Sequence, residues 1–309
     1  MNTPQENIPD TVYHYCSVDT FHSIITNKSL RLCDIQKSND SKELIEIYEN
    51  IIAYLNLQYG KANSTVTKIQ LASIQDILSS DSNDTKNIYH SICFSEFGDD
   101  LNQWRGYADD AKGVSIGINT KMFPIDSYLL FNRIMYNFDE IVFMDPIFQK
   151  CLKEDALDSG DNVCDFISHI IDTIYDNICF VKNKYFKSEN EYRLSINSDL
   201  CSNLKFFQEK INSHTYGYDS NDLYYYLSHP LDDDNYNISN INFMSKNNKL
   251  ISYRDVTFKK PDNKPYNFIN KIYLGPKCAL TREDVYLFLI SNDIDIDFDN
   301  IVMSEGSYR

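Results

Sequence analysis

Cations are scarce in this chain: 29 Lys and Arg face 45 Asp and Glu, leaving a formal charge of −16. Non-specific nucleic-acid binding depends on Lys and Arg neutralising phosphates, so a broad polyanion-binding surface is excluded. A small anionic ligand in a local basic pocket is not, because net charge governs solubility and steering rather than individual sites. No apolar run approaches the 18 or so residues that a membrane-spanning helix needs. No Cys-x-x-Cys occurs among the eight cysteines (16, 33, 93, 151, 164, 179, 201 and 278), and no His/Cys/Asp group has metal-ligand spacing, so no metal is expected. Neither Gly-x-Gly-x-x-Gly nor a P-loop is present, which removes the usual dinucleotide and triphosphate cradles. There is no internal repeat, and there is a single tryptophan.

The chain does have a core. Of its 309 residues 42% are hydrophobic, and 23 Tyr and 18 Phe raise the aromatic share to 14%. The cysteines sit in apolar contexts such as Ile92-Cys93-Phe94, where a reduced thiol behaves as a small hydrophobe. Residues 1–10 are polar and acidic, unlike a secretory signal. These features lead us to expect reduced, mostly buried cysteines in a cytoplasmic protein.

Periodicity places strands at 11–16, 29–33, 88–95, 113–118, 127–137, 191–197, 249–257, 268–274 and 299–303. It places helices at 18–27 (capped by Ser17), 41–58, 66–79, 139–157, 162–183, near 200–211, and from Thr281 to about residue 292. Residues 80–87 read as a loop, and 101–108 as one or two helical turns followed by a loop. Strands separated by unequal helical inserts argue for an α+β fold with mixed or antiparallel central sheets and against a doubly wound one. The expectation is a single domain, 1–309, with a peripheral Tyr/Asp/Asn-rich insertion at about 213–248.

Candidate chemistry concentrates at Ser188-Glu189-Asn190-Glu191-Tyr192-Arg193. In a strand, residues i and i+2 share a face, so Glu189 and Glu191 share one pocket if the extended geometry reaches back to Glu189, with Arg193 continuing that face. Like charges side by side oppose stability, whereas paired carboxylates suit a site where positive charge develops on a departing glycoside. The plainer reading is an exposed strand edge. Trp104-Arg105-x-Tyr107 offers a stacking surface, a phosphate-binding fork and a hydroxyl, and Trp104 reads equally well as a core plug. Tyr13 and Tyr15 share one face of the first strand while His14 takes the other. Ser95 ends a strand, where its hydroxyl faces either a cleft or the next turn. Asp40 with Glu43, joined to Glu189 and Glu191, would suit a metal-dependent nuclease or hydrolase.

The order Tyr13-x-Tyr15, Asn39-Asp40-x-x-Glu43, Cys93-Phe94-Ser95, Trp104-x-x-Tyr107-Ala108 with Gly113-Val114, Glu189-x-Glu191-Tyr192-Arg193 and Leu274-Gly275-Pro276 resembles the bacterial domain of unknown function 2971. The resemblance runs from Tyr13 to about Tyr308, with Ser41 where a proline often follows Asn-Asp. That family name implies no activity. More loosely, the layout is similar to ADP-ribosyltransferases of the His-Tyr-Glu or Arg-Ser-Glu type. The similarity implies an NAD-consuming enzyme, a transferase or glycohydrolase of the toxin or phage-defence kind, with Glu191 and Glu189 catalytic. His14, Tyr15, Ser95, Trp104, Arg105 and Tyr107 would hold NAD as substrate, and the acceptor would be a protein or nucleic acid. A noncatalytic ligand- or protein-binding module is the alternative.

Overall fold

The computed structural model describes residues 8–37, 43–61, 65–83, 87–123, 129–136, 171, 174, 177–199, 231–232, 236–246 and 248–307. The expected helices at 139–157 and near 200–211, most of the one at 162–183, most of the 213–248 insertion, and Asp40 and Ser41 lie outside the described residues.

The fold is α+β. Among the described residues are twelve strands: β1 (Thr11–Cys16), β2 (Ser29–Asp34), β3 (Asn87–Ser95), β4 (Val114–Asn119), β5 (Leu129–Arg133), β6 (Glu191–Asp199), β7 (Leu231–Asp232), β8 (Tyr236–Ile238), β9 (Asn242–Lys246), β10 (Lys249–Phe258), β11 (Ile269–Leu274) and β12 (Ile301–Met303). The helices are α1 (Val18–Asn27), α2 (Glu43–Lys61), α3 (Thr65–Asn83), α4 (Leu101–Tyr107) and α5 (Arg282–Ser291). Capping sets two of the starts. The Ser17 side chain accepts the Thr20 N–H at the head of α1, and Thr281 and Asp284 form a reciprocal capping box on α5. Helix α3 continues through Asn83, so the first half of the expected 80–87 loop is helical.

Strand β3 organises the sheet. One of its edges is taken along its whole length by antiparallel β6, which carries β5 on its far side. Its other edge is shared: β2 pairs at His90 and Ser91, and β1 pairs only at Ser95. The sheet therefore forks between Ser91 and Ser95. One limb runs β1-β4-β11-β12 and the other β2-β10, where β10 goes on to pair with β8 and β9. All pairs are antiparallel except β11 with β12. The span expected to be an insertion thus contributes strands to the second limb, and Tyr236 and Ile238 in it are buried.

Alternation along the strands separates two faces. Val12, Leu30, Leu32, Ile92, Phe94, Ile116, Leu194 and Ile272 face the larger apolar core, with Phe21, Ile24 and Ile25 of α1 and Val285 and Leu289 of α5. Burying each such side chain is worth about 1.5–3 kcal/mol. The other face is divided. At one end α2 and α3 cover Tyr89 and Ile134, and at the other Trp104 of α4 covers Tyr15. Between these two apolar caps the sheet presents Cys93, Ser95, Glu191 and Arg193. After α4 the chain returns to β4 through three consecutive left-handed residues, Asp109, Asp110 and Ala111. Gly113 follows because a Cβ there would clash with the Cys16 carbonyl.

Candidate functional site

The acid pair is brought together by a residue that the sequence reading passed over. Glu189 does not extend β6: it ends a 3-10 turn (Lys184–Glu189), and left-handed Asn190 (φ 43°) breaks the path before Glu191 opens the strand. Strand alternation therefore cannot align the two carboxylates, and Lys182 does so instead. Its Nζ lies 2.7 Å from Glu189 Oε2 and 2.9 Å from Glu191 Oε2. The sequence signal was a lone lysine closing the apolar run Ile178-Cys179-Phe180-Val181, which places a charge at the wall of a core.

Glu191 is 4% exposed and both of its oxygens are occupied. Arg193 Nε donates to Oε1 at 2.6 Å, and Arg193 Nη1 donates to the Cys179 carbonyl at 2.7 Å. The Cys93 thiol lies close enough to Glu191 to favour the ionised carboxylate. Burial works against the carboxylate, but Arg193 and Lys182 outweigh it and hold its pKa down at about 2. Burial likewise opposes the Lys182 ammonium, and Glu191 with Glu189 overcomes it, so the lysine pKa is raised. Across the strand pair, Ser95 stands opposite Glu191 and Cys93 opposite Arg193.

Glu189 is the outer acid. Its side chain is 18% exposed, and its Oε1 accepts from the Tyr107 hydroxyl at 3.0 Å. Tyr107, half exposed on α4, forms the lip; desolvation and then Glu189 raise its phenol pKa. Arg105 is exposed on the same helix. The arrangement is a layered network, with Arg193 and Glu191 inside, Lys182 as the bridge, and Glu189 with Tyr107 at the surface.

The other predicted residues divide between cleft and scaffold. Trp104 is fully buried, edge-on to Tyr15 at 4.8 Å, with Nε1 donating to Asp99 Oδ1 at 2.7 Å, so it is a core plug and no stacking surface. Tyr15 is buried too; its hydroxyl donates to the Phe97 carbonyl and accepts from Asp100 N. Ser95 Oγ ties the turn, donating to the Glu189 carbonyl and accepting from Phe97 N. His14 projects to the opposite face from Glu191, edge-on to Phe94, and its Nδ1 donates to the Cys93 carbonyl at the opening of the fork. His14 and Glu191 do not share one pocket, because alternation from Tyr13, paired with Ser95, sends His14 through the sheet. Burial lowers the His14 pKa, which keeps the ring neutral.

Of the cysteines, 16, 33, 93, 179 and 278 are free thiols, and Cys151, Cys164 and Cys201 lie outside the described residues. Among the described cysteines Cys16 and Cys179 are buried, Cys33 and Cys278 are partly buried, and Cys93 is exposed. Cys93 reaches solvent because β1 and β2 both diverge from β3 beside it. Desolvation by the surrounding protein, then Glu191, raises its pKa and keeps it protonated. The position between the two glutamates at which a bridging metal would sit is taken by the Lys182 ammonium. A polar depression lined by Asn119, Asn270, Tyr286 and Asp297 lies on the β4–β11 limb and shares no residue with this network.

Residues 103–194 match the family described as Protein of unknown function (DUF2971). The matched span carries Trp104, Tyr107, Gly113, Lys182, Glu189, Glu191 and Arg193, while the motifs at Tyr13, Asn39, Cys93 and Leu274 lie outside it. No curated protein and no solved structure matches the chain. No helix among the described residues is long and apolar enough to cross a membrane.

Proposed function

We propose that the protein is an NAD-consuming enzyme that cleaves the nicotinamide–ribose bond at the lip formed by Glu189 and Tyr107. The observation that supports this reading is the division of labour within the acid pair. Glu191 is buried, doubly ion-paired and ionised, which suits a fixed platform. Glu189 is partly exposed and hydrogen-bonded to a half-exposed phenol. Departure of nicotinamide leaves an oxocarbenium-like ribose, and a carboxylate held in place beforehand stabilises that charge without reorganising. On this reading the substrate-facing role falls to Glu189 rather than to Glu191, which the sequence favours. The exposed Tyr107 ring would cover nicotinamide, and exposed Arg105, two residues away on α4, would meet the pyrophosphate. Acting on a cytoplasmic NAD pool, such an enzyme would fit a toxin or phage-defence role, with ADP-ribose passing to water or to a protein or nucleic-acid acceptor.

One observation favours a second reading, a noncatalytic binding module: each carboxylate oxygen of the pair already holds a hydrogen bond or ion pair. The deciding experiment is nicotinamide release from NAD by the wild type and Glu189→Gln, alongside direct NAD binding. Release by the wild type that collapses in the variant supports the enzyme. Binding without release supports the module, and neither binding nor release removes NAD altogether.

A further inference from the structure

On the opposite face of the sheet from the acid network sits a buried cation that no described residue ion-pairs, although the buried Asp34 carboxyl lies on that face beside His90. Arg254 of β10 is 8% exposed, and among the described residues its guanidinium makes no ion pair, while its Nε has no hydrogen-bond partner. The contrast within the protein is sharp. Arg193 and Lys182, equally buried, meet carboxylates, and the more exposed Arg31, Arg133 and Arg282 meet Asp255, Glu96 and Asp299. A lysine in such a place could lose its proton, but a guanidinium keeps its charge. Burying a charge without a partner is costly, so an anion beside Arg254 would stabilise the fold.

The neighbours define which anion. Ser252, two residues back on the same face, is buried, and its hydroxyl meets His90 Nε2 at 3.1 Å. His90 is fully buried; desolvation, then the Arg254 charge, lowers its pKa to about 4, so the ring adds no second cation. Beyond the backbone bond from Ser239 N to the Asp255 carbonyl comes Asn240, which the register sets beside Arg254. Its Oδ1 is buried without a partner. An orphan donor and an orphan acceptor therefore belong to residues that the strand register makes neighbours. The group that answers both carries negative oxygens for the guanidinium and its own O–H for the amide oxygen.

We propose that Arg254 and Asn240, with Ser252 at the margin, form a binding site for a phosphate-type oxyanion: inorganic phosphate or the phosphoryl end of a phosphomonoester. The site is independent of the Glu189–Tyr107 lip and of any activity there.

Thermal unfolding of the full chain in inorganic phosphate and in sulfate, at matched ionic strength, tests this. Phosphate is expected to raise the midpoint of the wild type as bound ligand does. Sulfate, with no proton to offer Asn240 at neutral pH, is expected to raise it less. Arg254→Met removes the charge and keeps the bulk, so it is expected to unfold no earlier than the wild type in ligand-free buffer and to lose the phosphate response. Asn240→Asp supplies a carboxylate from within and is expected to stabilise the ligand-free protein and abolish the response, giving an independent reading should Arg254→Met fail to fold. A wild type indifferent to phosphate overturns the proposal, as does a phosphate response that persists unchanged in Asn240→Asp.

Discussion

Arg193 Nε lies 2.6 Å from Glu191 Oε1, both side chains on one face of β6, and this contact decides what the inner glutamate can do. With Lys182 on its other oxygen, Glu191 closes a buried ion triad. Replacing it with glutamine would leave two buried cations short of a carboxylate. Breaking such a pair costs about 3–5 kcal/mol. Glu191→Gln is therefore expected to lower the urea midpoint strongly, and Glu189→Gln, at the partly exposed end, to lower it much less. Equal small losses would show that the triad contributes little.

Activity should follow the reverse order of burial. If Glu189 faces the ribosyl cation, Glu189→Gln slows nicotinamide release by roughly a hundredfold, as removal of other charge-stabilising groups does. Tyr107→Phe keeps the ring and removes only the hydroxyl bonded to Glu189 Oε1. Its expected mark is a smaller fall in release with near wild-type stability, since one partly exposed hydrogen bond is worth about 1 kcal/mol. Undiminished release by Glu189→Gln would remove the outer acid from the chemistry.

Much of this architecture was legible in the sequence, because it is written in local patterns. The Ser17 and Thr281 caps, the strands at β1, β3, β4, β6, β10 and β11, and the opposed faces of Tyr13 and His14 follow from period-2 alternation and capping chemistry. What was not legible depends on tertiary geometry. Alternation could not show that Asn190 turns left-handed and takes Glu189 out of the strand, or that Lys182, seven residues earlier, restores the pairing. The fork at β3 is a matter of long-range pairing, and it is the fork that exposes Cys93. Strands β8 and β9 were hidden by polar Asn, Ser and Asp residues, because at the margin of a sheet pairing with β10 outweighs weak intrinsic propensity.

Asp99 ties three parts of the chain together. It accepts from Trp104 Nε1 at 2.7 Å, from Ser304 Oγ at 2.5 Å and from Glu305 N at 2.9 Å. Asp99→Ala leaves a buried indole N–H without its acceptor and frees the segment after β12. The expected loss is about 1–3 kcal/mol, with faster trimming of the C-terminus by carboxypeptidase, read by mass spectrometry. Unchanged trimming would show that the tail is held by other contacts.

His90 makes stability depend on pH. Desolvation, then Arg254, takes its pKa from the usual 6.5 to about 4. Between those values the unfolded chain binds a proton that the folded chain refuses, so stability is complete above pH 6.5 and declines as pH falls toward 4. A shift of that size corresponds to about 3 kcal/mol. The Glu191 contribution has the same sign at lower pH: it is present above 4.5 and fades toward 2. Asp34, paired with His90 across β2 and β3, has its pKa raised by burial, so it acts in the opposite sense near its own titration range. His14, whose pKa burial also lowers, acts in the same sense between pH 7.5 and 5, so the His90 share is the difference between the wild type and a variant lacking that histidine. Urea unfolding across that interval should show a falling free energy for the wild type and a flatter line for His90→Gln, which cannot titrate. Parallel slopes for the two proteins would show that His90 accepts its proton in the folded state as readily as in the unfolded one.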